Sequence, residues 1–337
     1  MAKTKSKAKS NGVLKKKKTP THFKRNDGIP FDANLFEGIN INRSAVERRA
    51  ATLTKRRSVK KQWQAAWLLK AITFIDLTTL AGDDTPSNVN RLCAKAKAPV
   101  RQDLLEAMGA QDLNITTGAV CVYHNHIKNA KAALGDSKLP IAAVSTGFPA
   151  GNIPLKEKLK QIELSVAAGA TEIDIVVSRE LVLRSKWKEL YKEVAACRKA
   201  CGDAHMKTIL ATGEIPTYTK VAKASIVSMM AGSDFIKTST GKEPVNATIP
   251  VSLVMIRTIR AYEEHTGYKV GFKPAGGIRT AKDALAWLFL IKEELGDEWL
   301  NPQLFRFGAS SLLADIERQL EHHVTGRYSA SYRHPMA

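Results

Sequence analysis

The feature that most constrains this chain is a rhythm: from residue 72 onward, short β-rich runs alternate with longer helical patterns. The runs are 72–77, 119–123, 141–145, 172–177, 207–212, 234–238, 269–273 and 304–308. Helix-like stretches lie near 87–98, 125–135, 155–168, 184–201, 217–231, 248–265, 280–294 and 311–322. Such alternation signals βα units on a parallel sheet. Eight units over roughly 250 residues match the size of a closed (β/α)₈ barrel. An open doubly wound sheet would favour a GxGxxG turn, and the sequence has none. The expected fold class is therefore α/β, a TIM barrel with a basic N-terminal extension.

Charge divides the chain. Residues 1–61 hold 18 Lys/Arg against 4 Asp/Glu, a net of +14, which leaves +6 of the total +20 for the rest. The expected organisation is a basic disordered extension over 1–42, an N-terminal helix over 43–69, the barrel over 70–325 and a flexible tail over 326–337. The run Lys15-Lys16-Lys17-Lys18 before Thr19-Pro20 reads as a solvated tail, or as a nuclear-import signal or nucleic-acid contact. Nucleic acid is expected only through this extension, and no aromatic residues are interleaved there for base stacking. No apolar stretch is long enough to span a bilayer, and the Lys-rich N-terminus lacks the apolar core of a secretory signal. Cys93, Cys121, Cys197 and Cys201 form neither a disulfide framework nor a paired zinc pattern. A reducing compartment fits: cytoplasm, and the nucleus as well if the basic run is a signal.

Alternate residues of a barrel strand face the helices and the barrel interior. In Glu172-Ile173-Asp174-Ile175-Val176-Val177 the apolar set Ile173, Ile175 and Val177 shares one face, so Asp174 points to the other. By the same alternation Lys237 lies opposite Ile236, and Lys273 opposite Phe272. Asp76, Asp174, Lys237 and Lys273 sit at or beyond mid-strand, toward the end where barrel active sites lie. Interior charges are costly unless paired or functional. Lys237 and Lys273 end consecutive strands, about 4.8 Å apart. Two ammonium groups roughly 4 Å apart at an effective dielectric near 20 repel by about 4 kcal/mol. One lysine is then expected neutral near pH 7, as a Schiff-base nucleophile requires. No metal-ligand cluster is visible, and His124 and His126 read as loop or helix residues, so neither metal nor cofactor is expected. Glycine-rich turns, Thr240-Gly241-Lys242, Gly276-Gly277-Ile278-Arg279 and Gly308-Ala309-Ser310-Ser311, follow strands six, seven and eight. Loops after strands seven and eight are the usual phosphate site of such barrels.

Several of these segments are recognisable. Asp234-Phe235-Ile236-Lys237-Thr238-Ser239-Thr240-Gly241-Lys242 resembles the Schiff-base segment of the deoxyribose-phosphate aldolases. Gly271-Phe272-Lys273-Pro274-Ala275-Gly276-Gly277-Ile278-Arg279-Thr280 resembles their second-lysine segment, and Phe305-Arg306-Phe307-Gly308-Ala309-Ser310-Ser311 their strand-eight loop. Asp76-Leu77-Thr78-Thr79-Leu80, Ala119-Val120-Cys121-Val122-Tyr123 and Glu172-Ile173-Asp174-Ile175-Val176 add earlier matches, and together they cover roughly residues 70–332. The resemblance implies reversible cleavage of 2-deoxy-D-ribose 5-phosphate to D-glyceraldehyde 3-phosphate and acetaldehyde. It implies Lys237 as the imine-forming residue, Lys273 as the ammonium that depresses its pKa, and Asp174 as a proton relay through water. Asp76 and Lys207 would organise the polar network, and Cys121 would line the pocket or stand as a plain buried strand cysteine. Gly241, Lys242, Gly276, Gly277, Arg279, Ser310 and Ser311 would hold the phosphate, and a homo-oligomer is expected. The sequence departs from the compact members in two places. Residues 101–113 look like an insertion, and the family's tail tyrosine corresponds to Tyr332, with Tyr328 as fallback, although residues follow it here. The alternatives are another Schiff-base barrel aldolase with a different acceptor, or a basic nucleic-acid-associated scaffold.

Overall fold

The computed structural model describes residues 24–56 and 59–334. Eight parallel strands form one sheet in the order β7-β6-β5-β4-β3-β2-β1-β8. They are β1 (Ile75–Thr78), β2 (Ala119–Tyr123), β3 (Ile141–Val144), β4 (Glu172–Val176), β5 (His205–Ile209), β6 (Phe235–Lys237), β7 (Gly271–Lys273) and β8 (Phe307–Ala309). Parallel bridges Phe272↔Phe305 and Ala275↔Gly308 join β7 to β8 and close the barrel. Ten of the helices matter below or in the packing: α1 (Arg43–Arg56), α2 (Lys61–Ile72), α3 (Pro86–Lys97), α4 (Gln102–Ala107), α5 (Ile127–Leu134), α6 (Leu155–Ala168), α7 (Arg179–Leu183), α8 (Trp187–Ala200), α9 (Tyr218–Met230) and α10 (Ile249–Thr266). The last two, α11 (Ala281–Glu294) and α12 (Leu312–Thr325), follow β7 and β8. No helix among the described residues is long and apolar enough to cross a membrane.

The expected strands are all present, with shifted ends. The run 207–212 was placed too late: β5 begins at His205, and the backbone leaves the ladder at Ala211 (φ 56°), giving a 3₁₀ turn over Thr212–Glu214. Ile72 belongs to the end of α2, so β1 starts three residues later than its apolar run. Apolar side chains from outward strand positions, such as Ile173, Ile175, Ile236 and Phe272, join helix residues in one large core between sheet and helices. The barrel interior is mixed instead: its inward positions carry Asp76, Asp174, Lys207, Lys237 and Lys273 beside a small apolar cluster of Cys121, Ala142 and Val144.

Both ends of the chain correct the sequence reading. Residues 24–42 are not a disordered extension. The buried Asn26 amide donates to Met229 O (2.8 Å) and Ser233 O (2.9 Å), and accepts from Tyr262 Oη (3.2 Å). Phe31 and Phe36 meet Tyr191 and Trp187 edge-on, with centroids 5.6 and 6.1 Å apart. Sequence reading missed this strap because Ile29, Phe31, Leu35 and Phe36 follow no helical or strand period. The Lys15–Lys18 run falls outside the described residues. The expected single helix over 43–69 is two, α1 and α2, with residues 57–58 between them outside the described residues. At the other end the tail folds back: Ser329, Arg333 and the buried His334 all bond the Glu321 carboxylate at 2.6 Å. The segment over 101–113 forms α4 and a 3₁₀ turn over Gln111–Leu113, and α4 packs against α12.

Candidate active site

Strand register brings the charged residues together. Asp174 pairs with Lys207 across β4–β5, Ile209 with Lys237 across β5–β6, and Lys237 with Lys273 across β6–β7. Since residues paired across parallel strands point the same way, both lysines enter the barrel side by side. Asp174 sits between them. Its Oδ2 accepts from Lys237 Nζ and from Lys273 Nζ, each at 2.8 Å, while its Oδ1 accepts from Lys207 Nζ at 3.0 Å. Lys273 also donates to Asp76. Gly308 makes this possible: a Cβ there would meet Ala275 Cβ at 2.7 Å and the Lys273 stem at 3.4 Å.

Two members of the network escaped the sequence reading. Arg306 donates to Asp76 Oδ1 (2.5 Å) and to Glu172 Oε1 (2.8 Å), and Glu172 Oε2 accepts from Lys207 Nζ (2.5 Å). The signal was available, because Glu172 lies two residues before Asp174 and Arg306 two before Gly308, on the same inward faces. Every one of these side chains is buried.

The protonation pattern follows from counting charges. Lys207, Lys237, Lys273 and Arg306 face Asp76, Asp174 and Glu172: four bases against three acids. Neutrality in a buried site therefore asks one base to give up its proton. Burial lowers the Lys237 pKa first, against the pull of Asp174, and the neighbouring Lys273 lowers it further. Burial also opposes the charge on Lys273, but Asp174 and Asp76 outweigh it and raise that pKa. Lys207 is likewise raised, by Asp174 and Glu172 against burial. Asp174 lies well below the usual carboxylate range: burial would raise it, but Lys207, Lys237 and Lys273 prevail. The odd base is Lys237. Of the three lysines it alone has its pKa lowered, and a neutral amine there would still donate a hydrogen to Asp174 and keep a lone pair for a carbonyl carbon. Repulsion from Lys273, the cause expected from the sequence, is present but smaller than desolvation.

Above Lys237 opens a cavity of about 240 Å³, lined by Thr78, Leu80, Lys237 and the three glycine-rich turns. Thr78 and Leu80 were not singled out from sequence. Gly241, Lys242, Gly276, Gly277, Arg279, Ser310 and Ser311 all lie on its wall. Cys121 does not: it packs with Ala142, Val144, Leu80, Tyr123 and Phe148, and burial pushes its thiol pKa up. His124 and His126 form a 3₁₀ turn after β2. Tyr328 and Tyr332 are exposed, and the structure does not bring them to Lys237. Their segment is held by Glu321 near the end of α12, which runs away from the mouth of the barrel. Among the described residues no group of three or more His, Cys, Asp or Glu side chains could hold a metal ion.

With this geometry in place, comparison with known proteins is decisive. The model of the DeoC/LacD family aldolases matches residues 70–317. The chain belongs to this aldolase family. It is 62% identical over 312 residues to the deoxyribose-phosphate aldolase of Mus musculus, covering 92% of this chain and 98% of that one. Identity to the human deoxyribose-phosphate aldolase is 61% over 314 residues, covering 93% and 99%. Among solved structures, the tetrameric deoxyribose phosphate aldolase of Aeropyrum pernix shares the fold, with a TM-score of 0.57, 21% identity, and coverage of 83% of this chain and 99% of that one.

Proposed function

We propose that this aldolase cleaves 2-deoxy-D-ribose 5-phosphate reversibly to D-glyceraldehyde 3-phosphate and acetaldehyde, through an imine on Lys237. The observation that carries the reading is the placement of one depressed lysine, Lys237, at the floor of a cavity whose far wall is built for an anion. The neutral amine adds to C1 of the open-chain sugar. Loss of water from the carbinolamine gives a protonated imine. Removal of the C3 hydroxyl proton then breaks the C2–C3 bond, and the electron pair flows into the imine as an enamine. Protonation at C2 and hydrolysis release acetaldehyde and restore Lys237. Asp174, an anion in the resting site, accepts and returns protons through a water. Lys273, Asp76 and Lys207 keep it in place.

The phosphate end supports the same substrate. Two helix N-termini approach the cavity, and they differ. That of α11 is already occupied: Asp283 accepts from Arg279 N and Thr280 N, and Asp315 accepts from Ala281 N (2.7 Å). Ser311 opens α12 with no side-chain cap, beside Ser310. We place the phosphate at this uncapped end, against Gly276, Gly277, Ser310 and Ser311, with Lys242 and Arg279 supplying charge. We also propose a homo-oligomer, since Trp63 and Leu113 stand exposed (66% and 61%); light scattering tests it. The test of the chemistry is borohydride reduction in the presence of acetaldehyde, followed by peptide mapping. The adduct is expected on Lys237, and an adduct on Lys273 reverses the two roles.

A further inference from the structure

The loop between β6 and α10 contains a carboxylate with an unusual set of partners. Glu243 is buried (8% exposed), and no cation pairs with it among the described residues. Both of its oxygens accept from Thr240 N at 3.0 Å. One of them also accepts from Thr240 Oγ1 (2.8 Å) and from Gly241 N (3.1 Å). The turn is tied further by Lys242 N donating to Thr240 Oγ1 (3.1 Å) and by Asn246 Nδ2 donating to the Glu243 carbonyl (2.8 Å). Asn246 in turn lies against Gly276: a Cβ on Gly276 would meet Asn246 Cγ at 2.6 Å. Thr240, Gly241, Lys242 and Gly276 line the cavity, whereas Glu243 does not. The carboxylate therefore stands behind the loop and draws the Thr240 and Gly241 amides away from the cavity.

We infer that Glu243 is a positioning residue for the substrate phosphate: the loop after β6 folds around its carboxylate, and this fold sets where Lys242 and the Gly276 turn face the anion. The inference rests on the phosphate reading above. It changes one expectation within it, since the Gly241 amide is spent on Glu243 and Gly241 contributes the turn (φ 88°) rather than a donor. A negative group close to a phosphate site would, on charge alone, weaken binding, so that its removal should lower KM. A staple has the opposite sign. Without it the loop gains freedom that must be given up on each binding event, and KM rises.

The experiment compares Glu243→Ala and Glu243→Gln with the unmodified enzyme, measuring kcat and KM on 2-deoxyribose 5-phosphate and on unphosphorylated 2-deoxyribose. Glu243→Ala is expected to raise KM for the phosphate ester about tenfold, equivalent to about 1.4 kcal/mol. Its kcat on that substrate and its kcat/KM on free deoxyribose should stay within about twofold, because three or four loop hydrogen bonds are lost without touching Lys237. Glu243→Gln keeps the shape but only one strong acceptor atom, so its KM should rise by a smaller factor. It carries the test alone if the alanine variant does not fold. A KM that is unchanged or lowered in the variants, or an equal loss on both sugars, overturns the inference. If the unmodified enzyme shows no preference for the phosphorylated sugar, the phosphate reading fails first. If it does and the variants do not discriminate, only the role of Glu243 is lost.

Discussion

The two ends of the cavity are built on opposite principles. At the floor, Lys237, Lys273, Lys207, Asp174, Asp76 and Glu172 project from strands and Arg306 from the residue before β8; all are buried and satisfy one another. At the mouth, the proposed anion wall is made of turns, glycines and exposed side chains: Lys242, Arg279, Ser310 and Ser311 all face solvent. A buried network has few protonation states it can tolerate, so each charge sets the others. An exposed wall is screened by water and its parts act more nearly one at a time. Changes at the floor should therefore alter proton affinities and stability, whereas changes at the mouth should alter affinity for one substrate group.

The sharpest test is the pair of floor lysines. Lys237→Leu removes the proposed nucleophile, and neither turnover nor borohydride trapping should survive. Lys273→Leu leaves the nucleophile but turns four bases against three acids into three against three. Lys237 then has no reason to lose its proton, and its pKa rises toward the ordinary lysine value of about 10.4. Because the neutral amine is the reactive form, activity appears only as pH climbs through that higher pKa. The rate at pH 7 should fall by two orders of magnitude or more, on the order of 2.7 kcal/mol, with the pH optimum moving alkaline. Slow trapping on Lys237 should persist. An unshifted pH profile in this variant would break the charge-counting account.

Next in size is Arg306→Met. Arg306 bonds neither Lys237 nor Lys273, yet it satisfies Asp76 and Glu172 from below. Removing one partner from a buried ion network costs about 3–5 kcal/mol, to be read as a lowered midpoint in urea with unchanged slope. It also leaves three bases for three acids, so the surviving activity should shift alkaline, as in Lys273→Leu. Loss of stability with an unmoved pH profile would mean that Arg306 is a support for packing and does not share the proton balance.

The same contrast explains what the sequence made legible. Alternation along strands is a period of two with high contrast, so the inward set Asp76, Asp174, Lys237 and Lys273 could be read residue by residue. Glu172 and Arg306 obey the same period and were missed because they lie lower in the barrel, toward the strand starts, where charge is less expected to be functional. The glycine-rich turns were legible as one group, and they do line one cavity. Which amides are free was not, because that depends on carboxylates such as Glu243, Asp283 and Asp315 that reach back into the turns. The strap over residues 24–42 and the refolded tail were illegible for a third reason. Their order comes from docking onto distant helices, as with Asn26 on Met229 and His334 on Glu321, and not from any local period.

A mouth variant should behave differently from every floor variant. Ser311→Asp puts a carboxylate at the uncapped start of α12. A carboxylate there stabilises the helix by about 0.3–1 kcal/mol, so the melting temperature should hold or rise slightly. The same charge repels the phosphate. KM for 2-deoxyribose 5-phosphate should rise about tenfold or more, roughly 1.4 kcal/mol, with free deoxyribose turned over as before. An equal effect on both sugars would move the phosphate away from this helix.

The smallest kinetic effects are expected from the N-terminus, where two truncations separate stability from both ends of the cavity. Deleting residues 1–23 leaves every contact of the strap over residues 24–42 in place, so kcat, KM and melting temperature should match those of the full chain within error. Deleting residues 1–42 is different. Asn26 leaves behind the carbonyls of Met229 and Ser233 and the hydroxyl of Tyr262. Phe36, 2% exposed, is stripped from Trp187. Full burial of one such side chain is worth about 1.5–3 kcal/mol. A domain of this size loses roughly 2–4 °C per kcal/mol, so the longer truncation should lower the melting temperature by more than about 5 °C. Below that temperature its kcat and its preference for the phosphorylated sugar should be those of the full chain, since among the described residues neither the floor nor the wall of the cavity contains one before Thr78 other than Asp76. A rise in KM for the phosphate ester alone on deleting residues 1–23 would contradict this. It would mean that the basic extension reaches the mouth and serves the substrate's charge.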